Sequence, residues 1–283
     1  MKIKIFYHLF TENYWKDIFQ SHLESIVESK LYDSIEVMKV YVIWKEKEDL
    51  QKAIDMCHAY KKIKVYNRNF YKDPPFGINR TVHKVGLKYT KKEDGGERFE
   101  IQLGEAETIL KIADDAKKNQ NEEVKYLCLH SKGASSQCIS RQTNKRCDEV
   151  KNDEMTFETK NALRVVKEFV LDWEWCVQKL KKYNWIGPKK GEQFAPVYGT
   201  TINMWWVNSS LLRQFNMQQF LKWQCEEMKR QGKPSDWRIA KTILYNDLGQ
   251  ESGALYAPKE RHAFTFFPYK IEQSLINAKG SRL

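Results

Sequence analysis

Lys2-Ile3-Lys4-Ile5-Phe6-Tyr7-His8-Leu9 reads as a β-strand, and the segments next to it in the chain decide the fold. Residues 13–31 carry Trp15, Ile18, Phe19, Leu23, Ile26, Val27 and Leu31 at helical spacing, the stripe of an amphipathic helix. Residues 35–44, ending in Val42-Ile43-Trp44, form a second strand. A polar helix is expected at about 47–60, and Lys62-Ile63-Lys64-Val65-Tyr66 is a short third strand. Strand, helix, strand, helix, strand within the first 66 residues predicts a parallel sheet with right-handed crossovers.

Further along, residues 67–100 are rich in turn formers: Asp73-Pro74-Pro75, Gly77 and the charged run Lys91–Glu97. Any strand there is a hairpin excursion. A helix near 104–118 leads into a fourth strand at 124–130, after which Ser131–Glu154 is polar and without periodicity. A loop of that length in a compact domain is usually functional or mobile. Residues 157–182 predict one long helix striped by Phe157, Leu163, Val166, Val170, Trp173, Val177 and Leu180. Short strands at 184–188 and 202–207, helices near 209–230 and 235–247, and an aromatic tail from about 254 complete the chain. The expected class is α/β, a single domain with an elaborated C-terminal half.

Composition narrows the field. With 283 residues, 41% apolar and 13% aromatic, the chain has the material for a globular core. No apolar run approaches the ~18 residues of a membrane span, and the first residues lack the pattern of a cleaved leader. A soluble, cytoplasmic protein is expected. The six cysteines, Cys57, Cys128, Cys138, Cys147, Cys176 and Cys225, form no CxxC pair and read as reduced thiols rather than zinc ligands. A formal charge of +11 is spread along the chain, with no basic stripe or reading module of a nucleic-acid binder. It suits anionic substrates equally, and allows peripheral association with an anionic lipid surface.

The fourth strand ends abruptly in His130-Ser131-Lys132-Gly133. In open α/β sheets ligands bind outside the carboxyl ends of strands. An imidazole, a hydroxyl, an ammonium and a glycine there make a cationic donor site suited to phosphate.

Four segments in order carry a resemblance: the opening Phe6-Tyr7-His8-Leu9 with Asn13-Tyr14-Trp15 and Glu28–Asp33; Tyr126–Gly133; Glu168–Val177; and Asn203-Met204-Trp205-Trp206. Over roughly residues 2–245 the chain resembles the glycosyltransferase-like family of bacteria and large DNA viruses marked by a "YLHxKG" strand end and a downstream "NFWW" strand. The resemblance implies a GT-A-type fold, a Rossmann-like, mostly parallel sheet flanked by helices. Residues 1–135 would be its nucleotide-sugar-binding half, and 136–283 its acceptor-binding half and tail. It implies transfer of a glycosyl group from a nucleoside diphosphate sugar, assumed to be a UDP-sugar, to a hydroxyl of a glycan or glycoprotein acceptor.

The Asp-x-Asp metal motif usual in that fold is missing where His130-Ser131-Lys132 stand, and Asp114-Asp115 lie earlier, on a helix, where they read as a solvated face. Leaving-group charge would then be met by His130 and Lys132, with Ser131 and the Gly133 backbone donating hydrogen bonds. No cofactor is required on this reading, with Mn or Mg as the alternative. Tyr7, His8 and Thr11 after the first strand, and Trp44 after the second, are candidates for base and ribose; Tyr7 and Trp44 serve equally well as core. Glu105 and Thr108 open the next helix as ligand contacts or as cap and dipole partners. Asn203 is a sugar or acceptor contact, and of Trp205 and Trp206 only one can face an acceptor. Asp236 is the candidate general base, with Glu226 and Glu227 as alternatives. A non-catalytic sugar- or nucleotide-binding protein on the same scaffold, and a basic nucleic-acid binder, are the competing readings.

Overall fold

The apolar stretches at the start of the chain form elements at close to their expected bounds. The computed structural model describes residues 1–12, 15–76, 89–91, 97–99, 106–131, 166, 169–181, 185–186 and 204–213. Strand β1 (Lys2–Phe10) leads through α1 (Trp15–Glu28) and the short α2 (Leu31–Ser34) to β2 (Val37–Trp44). Helix α3 (Lys47–His58) then leads to β3 (Ile63–Asn69). The helix expected over 13–31 breaks at Lys30, whose φ of 61° is left-handed, a conformation that ends helices. β4 (Tyr89–Lys91) and β5 (Glu97–Phe99) pair as a separate antiparallel hairpin. Next come α4 (Ala106–Lys118) and β6 (Val124–His130), the strand expected as the fourth.

From the C-terminal half, α5 (Trp173–Lys179), β7 (Trp185–Ile186), β8 (Trp205–Asn208) and α6 (Ser209–Arg213) are described. The single helix expected over 157–182 is interrupted: Val166, Phe169 and Val170 are helical and buried, but Asp172 leaves helical geometry at φ −97°, ψ 25° before α5 begins.

The main sheet runs β3-β2-β1-β6-β8-β7. Its first four strands are mutually parallel, while β8 lies antiparallel to β6 and β7 antiparallel to β8. It is therefore a mixed, mostly parallel sheet flanked by helices. Successive residues of a strand face opposite sides, and both sides of β1 are used. Ile3, Ile5, Tyr7 and Leu9 join Met38, Val40 and Val42 in a core with Ile18, Phe19, Leu23 and Ile26 of α1 and Ala53 and Cys57 of α3. Lys4 and His8 instead make hydrogen bonds to Asp115 and Thr108 of α4, on the other face.

The reversal of faces follows from topology. From β1 the chain moves outward through β2 to β3, then returns to add β6 on the opposite side of β1. Right-handed crossovers in opposite directions place their helices on opposite faces. The junction of β1 and β6 is thus a topological switch point, the place at whose carboxyl ends open α/β sheets bind ligands. Arg213 fixes α4 from its far end, donating to the carbonyls of Ala116 (3.2 Å), Asn119 (2.8 Å) and Glu122, which satisfies carbonyls a helix terminus leaves open.

Cys57, Cys128 and Cys176 are buried, and Cys57 is a free thiol. Burial pushes the Cys57 thiol up to about 12, so it is inert as a nucleophile at neutral pH. No helix among the described residues is long and apolar enough to cross a membrane.

Candidate functional site

Four of the expected site residues meet at the switch point. His8 and His130 are register partners on the adjacent strands β1 and β6, so their side chains share the α4 face. Both are buried, as are Thr11, Thr108 and Ser131. The Thr108 hydroxyl lies 3.0 Å from His8 Nδ1. Ser131 extends the β1–β6 ladder past its end: its amide donates to the His8 carbonyl (3.0 Å) and its Oγ accepts from the Phe10 amide (3.1 Å). That leaves the Ser131 proton able to point elsewhere. Thr11 does the same for β1 and β2, its amide (3.1 Å) and hydroxyl (3.4 Å) both donating to the Ile43 carbonyl.

Trp44 is half-buried at the end of β2, packed against the core, with its indole N–H on Asn67 Oδ1 at 3.3 Å. Lys45 follows it and reaches back to Glu12, its ammonium 5.5 Å from the Phe10 ring and 5.3 Å from the Phe70 ring. The carboxyl edge of β1 and β2 is therefore lined by aromatic rings holding a cation, an interaction worth about 0.5–1 kcal/mol where solvent reaches it.

Three expectations need correction. Tyr7 is a core residue and not a base contact: it is 0% exposed, its ring is 4.9 Å from Phe19, and its hydroxyl is 2.7 Å from His22 Nδ1. It points to the α1 face because it is an odd-numbered position of β1. Trp205 and Trp206 are both buried, so neither offers a ring to an acceptor; the Trp206 indole reaches the Phe169 carbonyl at 3.4 Å. Asp115 is not on a solvated face. It is buried between Lys4 (2.9 Å) and Lys39, and takes the Tyr126 hydroxyl at 2.9 Å. Burial pushes its carboxyl up, yet the hydrogen bonds from Lys39 and Lys4 outweigh this and hold it below the usual range. Asp114 does behave as a surface residue, paired with Lys118 at 2.9 Å.

Two residues at this edge were not singled out from sequence. Arg68, near the end of β3, and Glu107, in the first turn of α4, form a buried fork: Arg68 Nε lies 2.7 Å from Glu107 Oε2, and Nη2 meets Oε1. Glu107 Oε2 also accepts the Phe76 amide at 2.9 Å. Asn69, next along, organises the turn beyond β3 by accepting the amides of Tyr71 (3.0 Å) and Lys72 (2.9 Å) on its side-chain oxygen. A charged residue late in a strand and an acid early in a helix were the available signals.

Lys132, Gly133, Glu105, Asn203, Asp236, Glu226 and Glu227 lie outside the described residues. Among the described residues no group of three or more His, Cys, Asp or Glu side chains is arranged to hold a metal ion. Compared with protein-family models, curated proteins and solved structures, the chain matches none.

Proposed function

We propose that the protein is a glycosyltransferase of GT-A type that takes a nucleoside diphosphate sugar, with UDP as the first nucleotide to test, and glycosylates a hydroxyl of a glycan acceptor. The observation that carries this reading is the convergence of His8, Thr108, His130 and Ser131 at the carboxyl ends of β1 and β6, where the sheet reverses direction. Open α/β sheets bind ligands there, and Lys132 and Gly133 come next in the chain.

In the proposed reaction the acceptor oxygen attacks the anomeric carbon, the bond from that carbon to the β-phosphate oxygen breaks, and the nucleoside diphosphate leaves with the electron pair. His130 and Lys132 meet the charge that grows on the leaving group. If configuration inverts, Asp236 takes the acceptor proton, with Asn203 orienting the sugar. No Asp-x-Asp-bound metal is invoked, because the sequence carries Lys132 where that motif would stand.

Thermal-shift measurements with UDP, GDP and their sugars supply the first test, since a ligand at a hundred times its Kd adds about 2.7 kcal/mol of apparent stability. A rise with one nucleoside diphosphate and none with uridine alone supports the reading; no rise with any of them removes it. Donor hydrolysis with and without EDTA then separates an enzyme from a binding protein on the same scaffold. Lys132→Ala is expected to lower turnover at least about a hundredfold, the scale for removing one charge-stabilising donor, with the unfolding midpoint unchanged. Retention of most activity excludes the role given to Lys132.

A further inference from the structure

We infer that Glu107, held by Arg68, is a positioning residue of this site: it sets the first turn of α4 so that the Thr108 hydroxyl stays on His8 Nδ1. The use to which the imidazole is put rests on the transfer reading, whereas the positioning itself rests on the geometry alone. Glu107 and Thr108 are consecutive in α4. One is bound to β3 through Arg68 and the other to β1 through His8. β3 and β1 are separated by β2, so the α4 first turn is tied to the sheet at two points across that strand.

A buried ion pair is a poor way to gain stability, because desolvation offsets most of its attraction. What a two-point guanidinium–carboxylate contact provides is orientation, since it fixes a plane as well as a distance. Both partners are held elsewhere. Arg68 Nη1 reaches the Asn69 carbonyl at 3.5 Å and its guanidinium carbon lies 6.0 Å from the Phe76 ring. Phe76 in turn sits 5.0 Å, edge-on, from Tyr41, the register partner of His8 on β2, and its amide is bound by Glu107. The Arg68–Glu107 pair is therefore the centre of a closed set of contacts running from β3 over β2 to the helix start. The set leads to an imidazole at the strand end.

Positioning also explains why Thr108 needs help. A threonine in a helix divides between two rotamers, because its hydroxyl can turn to its own helix's carbonyls instead. The contact to His8 survives only if the helix start is held within hydrogen-bond tolerance of β1.

The test reads the His8 ring nitrogens of the 15N-labelled 283-residue chain by two-dimensional NMR, with His8→Gln assigning the signals and Thr108→Val defining the spectrum when the hydroxyl is absent. Glu107→Gln should move the His8 nitrogen shifts most of the way to the Thr108→Val values, and Arg68→Lys should move them less. Should Glu107→Gln not fold, Arg68→Met combined with Glu107→Leu removes both charges together and should give the same His8 shift. If the folded variants keep His8 at its wild-type shifts and lose only thermal stability, the pair is structural and the inference is overturned. UDP affinity is measured on the same samples, and about a tenfold loss in Glu107→Gln is expected, equivalent to one hydrogen bond. A His8 shift without UDP binding in any sample, wild type included, removes the transfer reading and leaves the positioning role standing.

Discussion

Replacing Asp115 with alanine is expected to cost about 3–5 kcal/mol of folding stability, the scale for removing one partner of a buried ion pair. The cause is less the lost attraction than what is left behind. Lys4 is buried on β1 and Lys39 is mostly buried on β2, and among the described residues Asp115 is the one carboxylate bonded to both. Tyr126 also donates to Asp115 Oδ2 at 2.9 Å, so a substitution leaves the Lys4, Lys39 and Tyr126 donors short of an acceptor, while Asn119 keeps the backbone carbonyl of residue 115 at 2.6 Å. Burial is the largest cause that pushes the Tyr126 phenol above its ordinary range, and it remains when Asp115 is removed, so the phenol keeps its proton. Urea denaturation is the measurement. A fall in midpoint with an unchanged slope is the expected result, and a change below about 0.5 kcal/mol, typical of surface substitutions, would contradict it. Restoring apolar packing by adding Lys4→Met to Asp115→Leu should recover much of the loss, because no charge then remains unpaired on β1.

Asp115 also marks the boundary of what the sequence made legible. Strand and helix positions in the first part of the chain were readable because burial there repeats with the period of each element: Ile3, Ile5, Tyr7 and Leu9 on β1, Ile18, Phe19, Leu23 and Ile26 on α1. The strand end at His130-Ser131 was readable for the same reason, an apolar run that stops at polar residues. Charges inside these elements were not. Asp115 read as half of a solvated acidic pair because the two lysines that hold it stand on strands 111 and 76 residues away in the chain. A warning was nevertheless present. β1 is flanked by β2 and β6, and central strands of a doubly covered sheet are buried on both faces, so a lysine there has to be paired from the covering helix. That logic does not reach Arg68, which stands on the edge strand β3; its pairing with Glu107 comes from the fold alone. Tyr7 could not be assigned until its parity on β1 was tied to α1 rather than α4, a matter of topology rather than residue type. The break at Asp172 was invisible because the apolar stripe continues through it.

Stability is also expected to fall as pH drops from 6.5 toward 3, through His22. This histidine sits in the buried stripe of α1, with Nδ1 2.7 Å from the Tyr7 hydroxyl and Nε2 buried without a hydrogen-bond partner. Burial raises the Tyr7 phenol well above its usual range, so the phenol stays protonated and donates to Nδ1, which assigns the His22 proton to Nε2. The same burial lowers the His22 imidazole from 6.5 to about 3. Between those values the unfolded chain binds a proton that the folded chain refuses. The stability that the neutral imidazole confers is complete above 6.5 and is lost at up to about 1.4 kcal/mol per pH unit on acidification. Summed over the window, the loss is on the order of 4 kcal/mol. The carboxyl of Asp115 does not enter until lower pH, since a depressed carboxylate gives up its contribution only below its unfolded value of 3.8. Denaturation at pH 7.5 and 4.5 isolates the histidine. His22→Gln keeps an acceptor for Tyr7 but cannot titrate, so its stability should change less between the two conditions, by roughly 2 kcal/mol or more. Equal changes in the two proteins would mean that His22 reaches solvent and protonates in the folded state, and that the interior between α1 and β1 opens far more readily than its packing implies.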